Sequence, residues 1–176
     1  MKKDFVMPIA VLTLVCLFVT GALAIGHNVT QPLIAAAAAE RARMAMTMII
    51  PHAEGFEPVE ISGLPATVQA VYRTTNNVGY VFILGTMGFG GEIRTICGID
   101  PDGSLIRTAI LSHTETPGFF ESVFAESHAS QYWGRGSYGI DGVAIVSGST
   151  RTATAFKSAL HYAFDAFEMV RSGGTR

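Results

Sequence analysis

The stretch Glu92-Ile-Arg-Thr-Ile-Cys-Gly-Ile-Asp-Pro-Asp-Gly-Ser-Leu-Ile-Arg-Thr-Ala-Ile-Leu-Ser112 sets the architecture. Asp100-Pro-Asp-Gly103 is a strong turn signal between two β-rich runs, 92–99 and 105–112, so the pair reads as a hairpin. Working outward, Tyr80-Val-Phe-Ile-Leu84 is a continuous apolar run that follows the turn Asn76-Asn77-Val78-Gly79. Residues 67–74 alternate in part between apolar and polar. Four strands joined by short turns predict an antiparallel meander.

Beyond the strands, residues 121–133 look helical, and 135–139 form a glycine-containing loop. Val143-Ala-Ile-Val146 reads as a short apolar strand leading through Ser147-Gly-Ser-Thr150 into a closing helix. That helix carries Phe156, Leu160, Ala163, Phe164, Phe167 and Val170 at three- and four-residue steps, one apolar face for the sheet. It is expected to end near Arg171, with Gly173 and Gly174 as terminators. The fold class is therefore α+β, a twisted antiparallel sheet with packed helices.

The chain has 176 residues, of which 49% are hydrophobic and 15% charged, too apolar for an ordinary soluble domain. The excess sits in residues 5–26, a run without charge and long enough, at about 20 residues, to cross a bilayer. Lys2 and Lys3 precede it and the next basic residue is Arg41, which puts the N-terminus in the cytoplasm and the rest outside. A cleaved signal peptide is the competing reading, because Ala22-Leu-Ala24 resembles a cleavage site. The apolar core is longer than a signal h-region, which favours a retained anchor. The organisation is then 1–4 cytoplasmic, 5–26 transmembrane, 27–62 stalk helix and linker, and 63–176 an extracytoplasmic domain. In the stalk, Thr30 is a candidate cap with Pro32 in the first turn, and Pro51 is the stop. Its methionines read as an apolar docking end, not a cofactor box.

Net charge is −2, so no basic excess exists to bind nucleic acid. Two cysteines, Cys16 inside the apolar run and Cys97 outside it, form neither a disulfide framework nor a metal motif. Three patches remain. Met87-Gly-Phe-Gly-Gly91 permits close approach of a backbone or a flat ring. His113-Thr-Glu-Thr-Pro-Gly118 sets polar groups on a turn at the sheet rim. Ser147-Gly-Ser-Thr-Arg-Thr152 opens the last helix, where hydroxyls and free N–H groups favour a phosphate. Plain hairpin bending, turning and helix capping also explain each patch taken alone.

Together, Gly88-Phe-Gly-Gly-Glu-Ile93, Glu115-Thr-Pro-Gly118 and Ser147-Gly-Ser-Thr-Arg-Thr152 resemble the FMN-binding domain family found in the G subunit of Rnf electron transport complexes. The related NqrC subunit of the sodium-pumping NADH–quinone reductase shares it. The resemblance covers the N-terminal span and about residues 63–171. It implies FMN joined by a phosphoester to threonine, with Thr150 the first choice of acceptor and Thr152 the second. Ser147, Gly148 and Ser149 would form the phosphate turn, and Glu115, Thr116, Pro117 and Gly118 would lie along the flavin. The chain departs from the family pattern at Ser149 (usually Ala), at Ala144 (usually Asp, the nearest acid here being Asp141) and at Phe119-Phe120 (usually Leu-Gly).

The role implied is an electron-relay subunit of an ion-translocating ferredoxin:NAD oxidoreductase, without a catalytic residue or metal of its own. Its partners would be other membrane and iron–sulfur subunits, with a flavin transferase for maturation. The five histidines are scattered, and His113 alone adjoins the patches. An NqrC-like subunit, a non-flavinylated scaffold and a free-standing flavin reductase or signalling input are the alternatives.

Overall fold

The computed structural model describes residues 2–61, 63–118 and 120–173. It falls into two compact units, residues 1–41 and 42–176. The first is helical: α1 (Lys2–Ile49) begins here and runs on into the second unit. Val11, Leu14, Leu17, Phe18, Leu23 and Ile25 all stand exposed along it, as the side chains of a lipid-facing helix would. One helix is thus long and apolar enough to cross a membrane. No separate stalk helix starts at Thr30. The Thr30 hydroxyl donates back to the Gly26 carbonyl at 2.8 Å, an intrahelical bond that leaves it unable to cap. Pro32 does not end the helix, whereas the stop before Pro51 is where the sequence puts it.

The second unit is built on a five-stranded antiparallel sheet in sequential order: β1 (Phe56–Pro58), β2 (Val68–Thr74), β3 (Tyr80–Met87), β4 (Glu92–Ile99) and β5 (Leu105–His113). The turn signals sit where expected. Asn77 has φ 55° and Gly103 φ 87°, and Asp100 closes its turn by accepting from the Ser104 N–H at 2.8 Å. β1 lies outside the four expected strands. Its three residues pair with β2, Phe56 opposite Thr74, and are too few to give a periodic signal.

The remaining α-helices are α2 (Glu121–Phe124), α3 (Glu126–Ala129) and α4 (Thr150–Gly173), with short 3₁₀ turns at Ser130–Tyr132 and Gly139–Gly142. The expected helix over 121–133 is therefore broken in two, with Ala125 in an extended conformation at ψ 138°, followed by a single 3₁₀ turn. Val143–Val146 is not a strand. Val143 is buried, and its carbonyl accepts from the Lys157 ammonium at 2.7 Å instead of a neighbouring strand. The closing helix extends to Gly173, two residues past Arg171; Gly174 lies outside the described residues.

The sheet is covered on both faces. On one, Phe82, Leu84, Cys97 and Ile99 meet Phe156, Leu160, Ala163, Phe164 and Phe167 of α4. On the other, Val81, Ile83 and Ile96 meet Met46, Ile49 and Ile50 at the end of α1. This accounts for the uninterrupted run at 81–84, since successive side chains point to opposite faces and both are apolar. Burial pushes the Cys97 thiol far above its usual range, so it is a packing residue.

Gly98 lets the end of α1 lie close on the sheet, because a Cβ there would stand 2.6 Å from Ile49 Cγ2 and 3.0 Å from Ile50 Cγ1. Gly98→Ala is expected to destabilise the domain by about 1–3 kcal/mol, seen as a lower Tm for the full chain in detergent. His128 supplies a pH dependence. It is buried beside Tyr132 and Phe156, and desolvation, with a smaller contribution from the Lys157 charge, holds its pKa below 6.5. The unfolded chain therefore takes up that proton first as pH falls. Stability is full above pH 6.5 and declines through the window below it, down to the depressed folded value. Thermal scans from pH 8 to about 5 should show this loss, and His128→Leu should flatten it.

Candidate functional site

The three sequence patches meet at the N-terminal turn of α4. The glycine hairpin between β3 and β4 closes on itself, with Gly88 N–H donating to the Gly91 carbonyl at 2.8 Å. It then lies directly against the segment that leaves β5. A Cβ on Gly90 would stand 2.8 Å from the Thr114 carbonyl oxygen and 3.0 Å from Glu115 Cα. A Cβ on Gly88 would overlap the Glu115 carboxylate, and one on Gly91 would overlap the Thr114 hydroxyl. The glycines are thus explained by close packing against residues 114–116.

Glu115 ties the patches together. Its side chain is only 6% exposed. One carboxylate oxygen accepts from the Gly90 N–H at 3.3 Å, and the other accepts from the Thr152 hydroxyl at 2.9 Å. Thr152 sits in the first turn of α4, where the helix dipole also favours an anion. Both Glu115 oxygens are engaged within the protein, while Thr116, Pro117 and Gly118 are exposed. Gly118 has φ 94° and donates to both carboxylate oxygens of Glu121 at 2.8 and 3.0 Å. That bond, first among its causes, lowers the Glu121 pKa.

The segment before α4 is a tight turn. Gly148 has φ 84°, Ser149 N–H donates to the Val146 carbonyl at 3.3 Å, and the Ser149 carbonyl accepts the first bond of the helix from Ala153 at 2.8 Å. Ser147, Gly148 and Thr150 are exposed; Ser149 is buried. The two candidate acceptor threonines differ sharply. Thr150 is exposed, whereas Thr152 is 1% exposed with its hydroxyl committed to Glu115.

Thr150 opens onto a groove of about 490 Å³ lined by Thr67, Thr86, Met87, Arg151, Ser158 and Tyr162, among others. The hydroxyls of Thr67 and Thr86 are buried there without a hydrogen-bond partner. A volume of this size suits a small-molecule ligand, and two orphaned hydroxyls suit a polar one. Sequence reasoning missed Thr67 and Thr86, because nothing local marks residues that converge through sheet pairing, and it gave no role to Arg151 within the patch 147–152.

His113 packs against Phe120 and Phe124, at 4.2 and 5.1 Å between ring centroids. His161 pairs with Asp141 at 2.9 Å. Among the described residues no group of three or more His, Cys, Asp or Glu could hold a metal ion.

Residues 88–165 match the family model described as the FMN-binding domain. The chain is 28% identical to the G subunit of the ion-translocating oxidoreductase complex of Methanosarcina acetivorans, across 93% of this chain and 95% of that protein. It is 27% identical to the G subunit of the proton-translocating ferredoxin:NAD(+) oxidoreductase complex of Clostridium ljungdahlii, across 69% of this chain and 64% of that protein. The corresponding G subunit from Vibrio parahaemolyticus matches at 47% over 36 residues, 20% of this chain and 17% of that protein. The residues matched to the FMN-binding domain include all of 88–91, 115–118 and 147–152. Across most of its length the chain is similar to a G subunit of an ion-translocating oxidoreductase complex.

The Glu115 tie is testable. Glu115→Ala strands the Gly90 N–H and the Thr152 hydroxyl and is expected to cost about 1–3 kcal/mol. Thermal unfolding should place Glu115→Gln, which keeps an acceptor for Thr152, between that variant and the wild type.

Proposed function

We propose that this chain is the electron-relay subunit of a membrane-bound, ion-translocating ferredoxin:NAD oxidoreductase of the Rnf type. FMN is attached to it by a phosphoester on Thr150. The observation that carries this reading is the contrast between the two threonines. A transferase and its nucleotide can reach the Thr150 hydroxyl at the start of α4, while the Thr152 hydroxyl is enclosed and donates to Glu115.

In this reading Ser147, Gly148 and Ser149 form the turn that receives the phosphate. The positive φ of Gly148 shapes that turn, and the free N–H groups and dipole of the first helical turn offset the anion. The exposed residues Thr116, Pro117 and Gly118 lie along the flavin, and Glu115 holds hairpin and helix in place behind them. FMN, when attached, supplies the electron-transfer chemistry, and the chain supplies position and electrostatics. The ester removes dissociation as a route of cofactor loss on the side of the membrane away from its synthesis.

The dispositions of His113, His128 and His161, each against an aromatic ring or a remote acid, favour a relay over an acid–base enzyme. The apolar part of α1 anchors the chain by a single pass in the cytoplasmic membrane, Lys2 and Lys3 inside and the domain outside. Other membrane subunits and an iron–sulfur subunit of the complex are its partners.

The full chain made together with a flavin transferase should show flavin fluorescence in a denaturing gel. Thr150→Val should abolish that band and Thr152→Val should retain it. A non-fluorescent wild-type band would leave the scaffold alternative standing.

A further inference from the structure

Arg151 has no ionic partner within the described residues. It follows Thr150 directly, its side chain is exposed, and it lines the same groove as Thr150. Its guanidinium carbon stands 5.8 Å from the centroid of the Phe89 ring. Phe89 is carried by the glycine hairpin that the Glu115 carboxylate holds through Gly90. A guanidinium placed over an aromatic face keeps its in-plane N–H groups free at the rim, where they match the geometry of a phosphate.

The groove carries a second, independent sign of a polar ligand. Thr86 is 7% exposed, and its hydroxyl is buried in the groove lining with no partner. The Thr67 hydroxyl, in the turn just before β2, is likewise buried without a partner. A cation without a counter-ion and hydroxyls without partners, around one exposed threonine, together describe a seat for an anionic, hydroxylated chain.

We propose that Arg151 is a nucleotide-binding residue, held over Phe89 so that its guanidinium donates to the non-bridging oxygens of a phosphodiester on Thr150. The inference rests on the attachment of FMN at Thr150 and adds what the chain does with the resulting charge. A phosphodiester carries one negative charge, and Arg151 balances it with a planar, paired set of donors that a lysine cannot reproduce. Fixing the phosphate at this point also restricts the swing of whatever the phosphate carries, so Arg151 acts as a clamp on the cofactor.

The test uses the full chain, produced with a flavin transferase and kept in detergent, as wild type, Arg151→Gln, Arg151→Lys and the surface control Arg73→Gln. Intact mass first establishes the adduct; its absence from the wild type would fail the proposed function itself. On adduct-bearing protein, two quantities are read: the ³¹P chemical shift of the phosphodiester, and quenching of flavin fluorescence by neutral acrylamide. Arg151→Gln should move the ³¹P resonance and raise the quenching constant by about two-fold, in line with the loss of a bidentate contact. Arg151→Lys should fall between it and the wild type, and Arg73→Gln should match the wild type. If Arg151→Gln escapes the transferase, Arg151→Lys alone decides, by the same two readings against the wild type. Wild-type values for both readings in the Arg151 variants, or equal changes in Arg73→Gln, would overturn the proposal.

Discussion

A buried carboxylate joins two elements that are far apart in the chain. Glu115 reaches the β3–β4 hairpin through Gly90 N–H and the first turn of α4 through the Thr152 hydroxyl. An enclosed anion without partners would be costly, so the two donors and the helix dipole are what allow it to stay. The arrangement also dictates sequence elsewhere. Gly88 and Gly90 are small because the carboxylate and its backbone occupy the space their side chains would need. Thr152 is a threonine for this contact, which leaves Thr150 as the exposed one of the two.

The sheet places these parts. β4 pairs with β3 on one side and β5 on the other, so the hairpin at 88–91 and the exit from β5 emerge at one end of the sheet. Pairing of Ile93 with His113 fixes how far apart they stand. Packing on both faces then makes the platform rigid: α4 covers one face and brings its N-terminal turn to the same end, while Met46, Ile49 and Ile50 cover the other. Gly98 shows how close that second contact is. A domain held this way can present a cofactor at its rim without needing a deep cavity for it.

Much of this was legible in the sequence. The turns at Asn77 and Asp100–Gly103, the four longer strands and the apolar stripe of α4 follow from local chemistry and periodicity, so they are found where expected. The errors share a physical cause. Thr30 looked like a cap, but its hydroxyl had an intrahelical carbonyl within reach. Val143–Val146 looked like a strand, but Val143 is buried in the core with its carbonyl on Lys157, Ile145 is exposed, and the Val146 carbonyl accepts from Ser149. β1 is too short to carry a pattern and exists only because Val68–Thr74 offers an edge. At the site, the three motifs were visible and so was their sum. What periodicity could not reveal was that Thr152 is enclosed while Thr150 is exposed, a difference tied to a hydrogen bond across 37 positions of sequence.

Peptide mass spectrometry puts the central claim to the most direct trial, because trypsin cleaves after Arg151, between the two threonines. In digests of the full chain made with an active transferase, the account predicts one FMN phosphoester on the peptide spanning residues 136–151. FMN on the peptide beginning at Thr152, or unmodified forms of both peptides, would contradict it.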